Sequence, residues 1–169
     1  MKMTKVLLAS VFLIGFGAAF PAMAKDTIDA EDFVEEASAK GLAEVEAANL
    51  ALKKSNAADI KSFAQTMIAD HTAANEKLKS IAQQKNLKVA TEAELTKKAK
   101  ALILKQRDGE SFNAAYARSQ VADHKDTIEL FNKAAVSEDV ELAGFATATL
   151  PKLEHHLMMA QELEKAHKK

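Results

Sequence analysis

The chain of 169 residues contains no cysteine, so neither a disulfide framework nor a thiolate metal site is open to it. Aromatic residues make up only 5%, which leaves a core to be built from Ala, Leu, Ile, Val and a few Phe, a composition suited to closely packed helices. Chain breakers are scarce: beyond Lys25 the only proline is Pro151 and the only glycines are Gly41, Gly109 and Gly144. Long helices are therefore expected, and no run of alternating β-branched residues argues for a strand. An excess of one charge is also lacking, with 23 basic against 24 acidic side chains. Nucleic acid is not expected as a partner, because neutralising phosphates needs a basic face. Neither a glycine-rich phosphate loop nor a serine-nucleophile motif occurs.

What is present begins with an address. Lys2 and Lys5 precede an apolar run from Val6 to Phe20, and Pro21-Ala22-Met23-Ala24 offers small residues where a signal peptidase reads. The run is shorter than the roughly 20 residues that a spanning helix needs, and Asp26, Asp29, Glu31 and Asp32 follow it. Residues 1–24 thus read as a secretory signal peptide, with a retained anchor as the alternative, and the missing cysteine rules out a lipoprotein. The expectation is a periplasmic protein from Lys25 onward, with no transmembrane anchor after cleavage. Loss of Lys2 and Lys5 leaves 21 basic against 24 acidic residues, a net charge of −3. Residues 25–169 are enough for one domain with one core.

Apolar spacing alternating between three and four residues predicts four long helices and one short one. The first runs over about Ala30–Lys54, with Asp29 as its N-cap and the seam Ala30, Val34, Ala37, Gly41, Glu44, Ala48, Ala51. Ser55-Asn56 separates it from a second helix bearing Ile60, Ala64, Met67, His71, Ala74, Leu78 and Ile81, which Lys85-Asn86 ends. A short crossover helix over Glu92–Lys105 is expected to bury Leu95, Ala99, Leu102 and Ile103. A third long helix, capped by Ser111, carries Ala114, Ala117, Val121, His124, Ile128, Phe131 and Ala135. The fourth, capped by Ser137, carries Leu142, Ala146, Thr149, Leu153, His156, Ala160 and Leu163. The expected fold is an all-α four-helix bundle.

Each seam has one polar interruption near its middle: Glu44, His71, His124 and His156. Burying an acid or an imidazole without a partner costs several kcal/mol, so four such groups must satisfy one another, trap water or hold a cation. Taken singly, each histidine reads as a hydrogen-bonded core residue. Taken together they form a reasonable ligand set for one transition metal ion, Zn, Fe, Mn or Cu. The levels do not match perfectly along the helices. Counted from the connecting turns, His71 lies about three residues beyond Glu44, and His156 about five beyond His124, roughly one helical turn in each case. A kink at Pro151 is one way to absorb the second offset, and simple packing is the other reading of that proline.

The triplet Ala-Asp-His occurs at residues 69–71 and again at 122–124, with Glu76 and Glu129 following at equal spacing, which suggests that the second and third helices present equivalent faces. Asp70 and Asp123 sit about 100° around the helix from their histidines, so they read as supporting or surface groups rather than ligands. Met67, Met158 and Met159 lie close to the histidines in sequence and offer thioethers to copper, or else fill gaps in the core. His155 is expected to face solvent and His167 to lie in a frayed tail.

These residues resemble the bacterial family called domain of unknown function 4142, whose members are often labelled outer membrane proteins. The likeness rests on Asp32-Phe33, Glu44, Phe63-Ala64 with Met67 and Asp70-His71, Phe112 and Tyr116 with Asp123-His124, and the run from Leu150 to Leu157. It implies a ferritin-like bundle, export from the cytoplasm and no settled activity. The chain departs from the di-iron ferritin pattern of Glu-x-x-His pairs, since Ile68, Val121 and Leu153 stand three residues before the seam histidines. A mononuclear, histidine-rich site fits better, with roles in metal handling or in oxidative or envelope stress. The rival is an envelope interaction or ligand-binding module without metal, its polar groups fixing helix register. Catalysis, a homo-oligomer and a protein partner are left open by the sequence.

Overall fold

A computed structural model describes residues 26–93, 102 and 104–168. Four long helices account for most of these: α1 (Ala30–Lys54), α2 (Ala58–Lys85), α3 (Gly109–Ala135) and α4 (Val140–Ala166). No strand occurs among the described residues. The expected all-α four-helix bundle is what forms, and no described helix is long and apolar enough to cross a membrane.

The helix ends follow from local chemistry. Asp29 caps α1 by position, its carbonyl accepting the Phe33 N–H at 2.9 Å, without a side-chain cap bond. Asn86 ends α2 in the left-handed conformation, which asparagine tolerates better than most residues. Two expected caps move. Asp108 rather than Ser111 precedes α3. Asp139 rather than Ser137 caps α4, its carboxylate accepting from the Leu142 and Glu141 N–H groups at 3.1 and 3.2 Å. α4 continues as helix through Pro151.

Side-chain pairs set the directions of the helices. Phe33 meets Phe131 while Glu44 meets Gln120, so α1 and α3 run antiparallel. Phe63 meets Tyr116 while His71 meets His124, at one constant offset of 53 residues (63 to 116, 71 to 124), so α2 and α3 run parallel. The repeated Ala-Asp-His triplets have this same offset, and their histidines do present equivalent faces. Consecutive parallel helices require a connection that travels the length of the bundle, and residues 86–108 supply it. Of the expected crossover helix, Leu95, Ala99 and Ile103 lie outside the described residues. Leu102 is 59% exposed rather than buried, and the anchoring role falls to Leu104. Lys54 fastens the end of the connection, donating to the Lys105 and Arg107 carbonyls and to Asp108.

The core has two apolar parts. One gathers Phe33, Val34, Leu78, Phe131, Leu142 and Phe145, and the other Ile60, Phe63, Met67, Phe112, Tyr116 and Leu163. Each buried Phe, Leu or Ile contributes about 1.5–3 kcal/mol, which gives the bundle enough stability to carry a polar layer. That layer lies between the two parts. In α3 the expected Ala117, Val121, His124 and Phe131 are buried, Ala114, Ile128 and Ala135 are half-buried, and the buried stripe widens to take in Tyr116, Gln120 and Thr127.

Candidate metal centre

His71, His124 and His156 converge from α2, α3 and α4 on the polar layer. They are 7%, 1% and 1% exposed, their ring centroids stand 5.5–5.6 Å apart, and one nitrogen from each ring lies within 4.8 Å of the others. The axial offset between His124 and His156 needs no kink. Helical side chains lean toward their own N-terminus, and in antiparallel α3 and α4 this tilts the two imidazoles toward each other.

Hydrogen bonds then fix which nitrogen faces inward. The Nδ1–H of His124 donates to the Gln120 carbonyl one turn back at 2.9 Å, leaving its Nε2 as a lone pair. In His156 the roles are reversed, Nε2–H donating to Asp70 Oδ2 at 2.9 Å and Nδ1 carrying the lone pair. Those two lone-pair nitrogens, and Nε2 of His71, are buried without a hydrogen-bond partner among the described residues. Asp70 also accepts from Lys152 at 2.8 Å. Burial works against its charge, but the bonds from Lys152 and His156 hold its carboxyl below the usual range. An aspartate behind a histidine in this way orients the ring and raises its basicity as a ligand.

The electrostatics favour neutral rings. Burial, reinforced by His124 and His156, pushes His71 down to about 3, and burial pushes His156 down to about 4 despite Asp70. Both are uncharged near neutral pH, the form that binds metal. Bonds of about 2.1 Å in a tetrahedral site would set the nitrogens about 3.4 Å apart, so the three rings would have to draw together around an ion.

Glu44 stands outside this close group. It is 4% exposed, and its Oε2 accepts from Gln120 Nε2 at 2.8 Å. Gln120 therefore holds both sides of the layer, its carbonyl on His124 and its amide on Glu44. Neither it nor Tyr116, whose buried hydroxyl has no partner, was singled out by the seam pattern, although Tyr116, Gln120 and His124 follow one another at four-residue spacing. Burial and the Glu44 charge raise the Tyr116 phenol well above its ordinary value. Asp123 is buried beside His124, whereas Glu76, Glu129 and His155 are exposed. Met67 lies in the second apolar cluster and Met158 is on the surface.

Beside His71, a cavity of about 20 Å³ is lined from all four helices, by Lys40, Glu44, His71, Asn75, Thr127 and Thr149 among others, whereas His124 and His156 are not part of its wall. Gly41 makes room for its wall: a Cβ there would stand 2.8 Å from Asn75 Cγ, so only glycine lets that side chain pack against α1.

The family model described as "Domain of unknown function (DUF4142)" matches residues 17–163. The chain belongs to this family. No curated protein and no solved structure matches it. The match takes in α1, α2 and α3 and reaches Leu163 in α4.

Proposed function

We propose that this protein is exported to the periplasm and holds one transition metal ion between His71, His124 and His156, in metal handling or in defence against oxidative or envelope stress. One observation carries the reading: three buried imidazoles on three helices each keep a ring nitrogen without a protein partner. Leaving such groups unsatisfied costs roughly 1–3 kcal/mol each, and a shared cation would relieve all three at once. Three nitrogen donors suit Zn, Fe, Mn or Cu, and Glu44 and Asp70 supply negative charge near the ion. Export is supported by the basic, apolar and small-residue succession of residues 1–24. The parallel α2 and α3 with their long connection favour kinship with ferritin-like bundles, and the stress role is an analogy from that kinship alone.

The test is elemental analysis of protein purified from periplasm, followed by melting with added Zn, Cu, Fe or Mn. An ion at about 100 times its Kd should stabilise the fold by about 2.7 kcal/mol. His124→Leu should abolish that gain while changing the stability of metal-free protein only modestly. Protein that carries no metal, and whose melting ignores every ion, would leave the polar layer as a device for helix register.

A further inference from the structure

Three helices deliver an imidazole to the polar layer, whereas α1 delivers Glu44, which is not part of the group whose ligand atoms lie within 4.8 Å of one another. Three nitrogens leave zinc, iron, manganese or copper(II) short of a full shell, since these ions commonly take four or more ligands. On the side of the layer facing the Phe33–Phe131–Phe145 cluster lies the small cavity, and His71 and Glu44 are both part of its wall. Its volume of about 20 Å³ exceeds the 10–15 Å³ needed for one water and is too small for two. Its wall carries polar groups of both kinds, including the Glu44 carboxylate and the Asn75 amide, so an occupant could find the two to four hydrogen bonds that a buried water requires. Beyond them Leu78, Phe131, Phe145 and Leu153 close the space with hydrocarbon.

We propose that this cavity is the seat of a fourth, exchangeable ligand of the bound ion, limited in size to a water or hydroxide and hydrogen-bonded to Glu44. This rests on the metal reading above and adds to it a ligand class: oxygen donors the size of water, to the exclusion of longer anions. Glu44 is then a positioning residue for that ligand, and the exclusion of longer anions rests on the size of the cavity alone. The narrowness has a cause in the fold, because Gly41 lets Asn75 close against α1 and the threonine side chains at 127 and 149 fill the opposite wall.

The test uses the copper(II)-loaded full chain in oxygen-17-enriched water. Electron paramagnetic resonance should show hyperfine broadening from one bound water, and added azide should produce no charge-transfer band in the visible spectrum. Ala37→Val and Ala74→Val each push methyl groups into the cavity from a different helix, so that one suffices if the other fails to fold. In either variant the broadening should disappear while copper(II) affinity stays within about threefold, less than 1 kcal/mol. Copper(II) bound without broadening in the wild type, broadening that survives in a folded variant, or ready azide binding in the wild type would each overturn the pocket while leaving the metal site standing. Failure of the wild type to bind copper(II), zinc, iron or manganese would take both readings down together.

Discussion

At the centre of the bundle His71, His124 and His156 each keep one ring nitrogen without a protein partner, whereas at its end His167 commits both nitrogens to carboxylates, Glu110 and Asp59, each at 3.0 Å. His71 and His156 have lost water and gained imidazole neighbours, which favours their neutral form. Burial also works against charge on His167, but its two acidic partners outweigh it and raise its pKa. The same side chain is thus a neutral donor in one place and a cationic strut in the other. What decides between them is the neighbour opposite each nitrogen, not burial alone.

Acid should separate the central histidines from the terminal one most strongly. His71 and His156 have folded-state values of about 3 and 4, below the ordinary 6.5, so between those limits the unfolded chain binds more protons than the folded one. Stability of the metal-free protein should therefore fall as pH drops from about 6.5 toward 4, by roughly 1 kcal/mol per pH unit for each of the two rings. Urea titrations across that range read the slope, and a flat profile would mean that the rings are not held neutral.

A smaller effect sharpens the central half of the comparison. Asp70→Asn keeps the shape behind His156 but removes the charge that orients it, and metal affinity should weaken by about 10- to 100-fold. Isothermal titration measures this, and unchanged affinity would show that Asp70 serves only its ion pair with Lys152. The smallest effect belongs to the terminal strut. Because the raised value of His167 favours folding below about 6.5 and loses that contribution as pH rises through it, His167→Gln should cost less than about 1 kcal/mol in mild acid and nothing measurable in mild alkali. Both partner carboxylates are about half exposed, so the cost should shrink with added salt. A penalty independent of pH would point to packing instead of charge.

The contrast also marks what the sequence disclosed. The three central histidines were legible because seam spacing alone put them on faces that must pack together. Glu44 was legible as a buried acid, but its engagement by Gln120 was not, since the seam pattern passes over a glutamine as an ordinary polar residue. The breadth of the α3 stripe has the same origin: Ala117 and Val121 are buried as the apolar pattern expects, but Tyr116 and Gln120 beside them belong to the core as well. His167, expected in a frayed tail, is held by partners 57 and 108 residues away, a distance over which local spacing carries no information. Asp70, by contrast, was placed correctly as a supporting group by its angle around the helix, although the histidine it supports is on α4 and not its own neighbour.

The helices pack most extensively as two successive hairpins, α1 with α2 and α3 with α4. His71 belongs to the first, His124 and His156 to the second, so neither half alone brings three imidazoles together. An ion at this point would join the halves across their less extensive seam, as a rivet joins two plates, and its uptake would report the last step of assembly.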